Sequence, residues 1–250
     1  MIDIRPFDSL GAFRNAWLNA KHHFSFGGYH DGKRMGVGRL RVWNDDEIAP
    51  GTGFGAHPHR DMEIITFVRQ GAITHKDSLG NVGATRAGDV QVMHAGTGIT
   101  HAELNQETEA TRLFQIWILP DEEGVKPGWE AREFPRDAGK GLQVLASGRP
   151  ADAGSGALAL HANAAELAAK LAAGEKASYS LKTGRAAYLV AATGDIAVNG
   201  KLAHARDGAA LRVIRRDFDI IVEYRENGAD EGKIAQRVRN PVADHIAGFK

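Results

Sequence analysis

Thirty glycines, scattered along 250 residues rather than gathered in one tract, cut this chain into short apolar runs. A strand needs only about five residues of period two, whereas a helix needs about ten or more of unbroken 3.6 periodicity. Punctuation this frequent therefore predicts an all-β protein with tight turns. MIDIRPF reads as a strand, and AWLNAKHHFSF ends in an alternating pair, Phe24 and Phe26. GVGRLRVWNDDEI, MEIITFVRQGAITHKD, AGDVQVMHAG, ITHAEL and TRLFQIWILP continue the series. Seven or more strands within the first 120 residues suggest a sandwich or small barrel.

From Asp121 to Gly141 the chain is polar, contains Pro127 and Pro135, and reads as a linker. GLQVLASG then opens a second series. NAAELAAKLAA is helical by propensity alone. It leads into turns spaced like those of the first half, so Glu166–Leu171 is predicted to be a strand that closes a second barrel. GDVQVM in the first half resembles GDIAVN and DGAALRV in the second, which points to a duplicated barrel. The expected layout is a metal-binding barrel over 1–135, a degenerate barrel over 136–230 and a tail over 231–250, read as a short helix. In the second half His161, His204 and His245 are isolated, so only the first copy is expected to hold a site.

Composition excludes more than it proposes. Lys plus Arg equals Asp plus Glu, 31 each, so no global field favours nucleic acid or an anionic membrane. No helix-turn-helix or zinc-finger pattern is present, which argues against direct nucleic-acid binding. No apolar run reaches the roughly 20 residues that span a bilayer. The first residues lack a basic and then apolar leader, so a cytoplasmic address is expected. Cysteine is absent, which removes disulfides and thiol catalysis.

Two short pairs concentrate the chemistry: His57-Pro58-His59 and His101-Ala102-Glu103. Members of an i, i+2 pair point to one face of a strand. Two such strands meeting inside a barrel can aim four ligands at one point. Three imidazole nitrogens and a carboxylate suit Fe(II), with Mn, Ni, Co, Cu or Zn as other divalent ions this set accepts. Glu63 shares strand parity with His57 and His59. One of Glu63 and Glu103 is thus expected to ligate, the other to support it through a hydrogen bond.

GTGFGAHPHRDMEIITFVRQGAITHKDSLGN followed by AGDVQVMHAGTGITHAELN resembles the pirin branch of the cupin superfamily, most strongly over residues 20–120. His94 departs from the proline that many cupins carry at that turn. The resemblance implies a bicupin of two face-to-face antiparallel, jelly-roll-type β-barrels with metal only in the first. It also implies His57, His59, His101 and Glu103 as ligands, which chooses Glu103 over Glu63. The implied activity is that of a quercetin 2,3-dioxygenase, which opens the central ring of a flavonol with O₂ and releases carbon monoxide.

On that reading Glu103 is the general base that takes the proton of an enolic or phenolic hydroxyl. Phe24, Phe26, Phe54, Met93, Gln115 and Trp117 are the expected substrate wall. His94 is expected to be structural, and His22, His23, His30 and His75 to lie on the surface or in turns. The competing reading is an iron-binding redox sensor acting through a protein partner.

Overall fold

The structure is a computed structural model; it describes residues 2–134, 141–213 and 217–225, and the backbone of 242–249. The chain divides into two compact units. The first comprises Leu10–Pro135 and Leu145–Ala165, and the second Met1–Ser9, Arg136–Val144 and Glu166–Lys250. A cut at residue 135 therefore does not separate them cleanly. The reason at the N-terminus is pairing: β1 (Ile2–Arg5) zips onto the strand at Gly208–Arg212, with Ile2 opposite Leu211.

Strands of the first unit are β2 (Gly11–Arg14), β3 (Leu18–His22), β4 (Leu40–Ile48), β5 (Gly53–His59), β6 (Glu63–Gln70) and β7 (Ala72–Asp77). They continue with β8 (Val82–Arg86), β9 (Val90–His94), β10 (Ile99–Leu104), β11 (Thr111–Ile118) and β12 (Gly128–Arg132). Then come β13 (Gln143–Ser147) and β14 (Leu158–Ala159), which pair in parallel. One sheet runs β5-β10-β7-β8, and a larger one runs β12-β9-β6-β11-β4-β3-β2. β5 lies at one end of its sheet and carries Pro58. Ile48, Val68, Ile73 and Leu113 bury a core between them, with Trp17 and Phe54 packed against it.

The second unit adds β15 (Ala165–Leu171), β16 (Lys176–Leu181), β17 (Ala186–Ala191), β18 (Asp195–Val198), β19 (Lys201–Ala203), β20 (Gly208–Arg212), β21 (Phe218–Arg225) and β22 (Val242–Phe249). They lie in the orders β1-β20-β17-β22-β15 and β16-β21-β18-β19. β15 is a strand despite its alanine-rich sequence, because sheet pairing overrides a weak helical propensity. The tail differs from the expected helix. Its residues 231–241 lie outside the described residues, while β22 is a strand that pairs along β17, from Ala186 opposite Phe249 to Ala191 opposite Asp244. β17 is buried along its whole length, so its backbone groups require a partner on both sides. Among the described residues the helices are two three-residue 3₁₀ turns, Phe7–Ser9 and Pro150–Asp152. No helix among them is long and apolar enough to cross a membrane. The fold is all-β and bicupin in kind.

Candidate metal centre

β5 and β10 run antiparallel with His57 directly opposite His101 and His59 opposite Ile99. Cross-strand partners share a face, and so do residues two apart, so the three imidazoles meet. Ring centroids lie 4.4 Å apart for His57–His101, 4.9 Å for His57–His59 and 5.0 Å for His59–His101. One nitrogen from each ring falls within 4.8 Å of the others. Beyond His101 the register slips, so that Glu103 faces Phe54 instead of Gly55. The extra residue of that β-bulge lies on β5, which bends there and brings Phe54 opposite Glu103. Gly53 makes the close approach possible: a Cβ there would sit 2.2 Å from the Glu103 carbonyl oxygen, at a φ of +154°.

Hydrogen bonds prepare two of these rings for an ion. His57 Nδ1 lies 2.7 Å from the Gly55 carbonyl, which only accepts, so Nδ1 carries the proton and Nε2 keeps its lone pair. His101 is set by a chain of three groups. Asp77 Oδ2 accepts from His75 Nε2 at 3.0 Å, which leaves His75 Nδ1 as an acceptor for His101 Nδ1 at 3.4 Å. His101 Nε2 is then a lone pair, and it is buried with no hydrogen-bond partner. Such an orphaned atom fits a metal ligand. Burial, then the neighbouring histidines, lowers His101 to about 3 and His59 to about 4, so both are neutral at pH 7. Trp129 stacks on His75, centroids 4.8 Å apart and planes 4° from parallel. The indole has room only because residue 83 is glycine; a Cβ there would meet the ring at 2.4 Å.

The histidines line a cavity of about 380 Å³ together with Glu103. Glu103 is not one of the three-histidine group; both its oxygens are held by neutral partners. Oε1 accepts from Gln91 at 2.7 Å and Thr66 at 3.1 Å, and Oε2 from Gln115 at 2.6 Å. Burial pushes its carboxyl above the ordinary glutamate range, against the pull of nearby His75 and these hydrogen bonds. Asp46, absent from the expected site, also lines the cavity. Burial first, then the charges of Asp45 and Glu103, raise it well above the usual range.

Of the expected wall, Phe26, Phe54, Gln115 and Trp117 line the cavity, and Phe24 and Met93 do not. Phe24 lies beyond the end of β3, where strict alternation no longer holds, and is fully buried. Met93 packs with Ile64, Ala95 and Ile99 behind the wall. Trp117 meets His59 edge-on at 4.9 Å and Phe26 at 5.3 Å. His22 and Asn44, hydrogen-bonded to one another at 2.8 Å, add polar wall. Thus His22, His23 and His75 are buried rather than superficial, while His30 is exposed.

Glu63 goes elsewhere. The chain turns at Asp61, whose φ is +46°, so strand parity does not pass from β5 to β6. Its carboxylate meets His94, as well as His161 from the segment after β14. His161 is therefore not isolated.

The comparisons with known proteins agree on kind. Residues 4–118 match the Pirin family, and residues 144–217 match the quercetinase C-terminal cupin domain. A Pseudomonas aeruginosa protein, PA1210, is 61% identical over 213 residues, covering 85% of this chain and 91% of its own. Quercetin 2,3-dioxygenase of Escherichia coli K12 is 41% identical over 212 residues, covering 84% and 90%. The crystal structure of bacterial pirin YhhW from E. coli, in complex with nickel(II), superposes with a TM-score of 0.86 at 34% identity, covering 100% of this chain and 99% of its own.

Proposed function

The chain belongs to the pirin family, and from that premise we propose that it is a metal-dependent dioxygenase opening flavonols such as quercetin with O₂. The observation that carries the reading is the meeting of three imidazoles and a buried carboxylate on one aromatic-walled cavity. His57, His59 and His101 would hold one divalent ion, with Glu103 as the fourth donor or as its hydrogen-bonded neighbour. Fe(II) suits this set, and Mn, Ni, Co, Cu and Zn are the other candidates. When bound, such an ion supplies Lewis acidity toward substrate oxygens and, if redox-capable, a path for electrons to O₂.

The chain's own residues would do the rest. Glu103 accepts the proton of the substrate's enolic hydroxyl, its burial making it a stronger base than an ordinary carboxylate. Gln91, Thr66 and Gln115 hold both its oxygens in place, so little reorganisation accompanies the transfer. Phe26, Phe54 and Trp117 offer flat apolar faces to a flavonol ring and exclude water from it. Asp46, whose carboxyl burial pushes up, lines the same cavity and is placed to hydrogen-bond a substrate oxygen.

The test is oxygen consumption on adding quercetin to Fe(II)-reconstituted protein, with Glu103→Ala and Glu63→Ala alongside. Uptake that requires metal, vanishes in Glu103→Ala and mostly survives in Glu63→Ala is the expected result. Metal binding without quercetin-dependent uptake would reject flavonol dioxygenation. A sensing role through a protein partner would then lead.

A further inference from the structure

We propose that Glu63, His94 and His161 form a second divalent-metal site of the zinc type, separate from the three-histidine centre. The three donors come from three segments. Glu63 opens β6, His94 closes β9 directly opposite it, and His161 lies between β14 and β15. One donor atom from each lies within 4.8 Å of the others, and none belongs to the first group.

Glu63 supplies the independent sign of a ligand. Its side chain is 1% exposed, and its Oε1 has no hydrogen-bond partner. Oε2 is satisfied, by His94 Nδ1 at 2.6 Å and by the backbone N–H of His161 at 2.9 Å. A buried carboxylate oxygen left without a donor is costly, so a cation beside it would be stabilising. His161 Nδ1 stands 3.9 Å from Glu63 Oε1. Two donors each about 2.1 Å from one ion can be at most about 4.2 Å apart, so this pair already spans a metal's reach. The His94 and His161 rings meet at 90° with centroids 4.5 Å apart. His94 Nδ1 can exchange its hydrogen bond with Glu63 for the ion. The His161 side chain is 38% exposed, which gives the ion a route in and leaves a position for water. Two imidazoles and one glutamate with an open position is a donor set that Zn(II) accepts, and Co(II) reports on it optically.

The site stands whether or not the protein oxidises flavonols. Chelator-stripped full-length protein is titrated with Co(II), following visible absorbance, and with Zn(II) by calorimetry. Two equivalents are expected for the wild type, and one each for His161→Ala and His101→Ala. The double variant should bind none. Glu63→Gln, of nearly the same shape, should weaken the second equivalent at least tenfold; it serves if His161→Ala fails to fold. A single equivalent in the wild type would overturn the site. So would a second equivalent that persists unchanged in His161→Ala or Glu63→Gln.

Discussion

The two four-stranded sheets of this molecule make a natural comparison. In β16-β21-β18-β19 the buried side chains are Ala177, Leu181, Ile196, Ala197, Val198, Ala203, Ile220 and Val222. In β5-β10-β7-β8 the buried set includes His75, Thr85, His101 and Glu103. The architecture is the same, yet one interior is hydrocarbon and the other is chemistry. A polar interior is tolerated only because each group has a partner or awaits one. Asp77 holds His75, His75 meets His101, and two glutamines and a threonine hold Glu103. The lesson is that a site costs a whole layer of supporting residues, not four ligands alone.

Placing chemistry in the dry sheet should break that contrast most severely. Ile220→Asp buries a charge without partners and should destabilise the protein by on the order of 4 kcal/mol in urea unfolding. A loss below about 1 kcal/mol would mean that this interior is not dry. In the polar sheet, Glu103→Gln keeps the shape but removes the base, and quercetin-dependent oxygen uptake should fall about 100-fold with the circular dichroism unchanged. Asp77→Asn acts one step further out: metal affinity, measured by chelator competition, should drop about tenfold. Unchanged affinity would show that Asp77 does not orient His101.

The smallest effect is on pH. The folded values of His59 and His101, about 4 and about 3, lie below the unfolded value of 6.5. Between these limits the unfolded chain binds more protons, so the metal-free protein gains stability as pH rises to about 6.5 and loses it as pH falls below that. His59→Ala should flatten the slope of melting temperature against pH over that window. An unaltered slope would assign the acid sensitivity to other groups.

Much of this arrangement is legible in the amino-acid sequence alone. Strand periodicity locates His57, His59 and His101, since alternation is a local rule that β5 keeps from His57 to His59 and β10 from Ile99 to His101. The strand at Ala165–Leu171 follows from turn spacing where propensity points the wrong way. Alternation fails where the chain leaves its strand, and so misplaces Phe24 in the wall and Glu63 beside the first histidines. Contacts between distant segments leave no local trace, which is why His161 looks isolated and Asp46 ordinary. His75 and Asp77 do leave one: they repeat the i, i+2 spacing of the ligand pairs, on the strand next to β10.

Pro58 adds a different consequence. It stands between two ligands, and its side chain points to the other face of β5. β5 is an end strand, and an uncovered strand end offers amide donors that another chain can zip onto. Proline withholds one such donor and is tolerated in sheets chiefly at edges. The tripeptide that gathers the metal ligands thus also guards against intermolecular strand addition. That protection is written into the backbone, so it holds with or without an ion between the histidines.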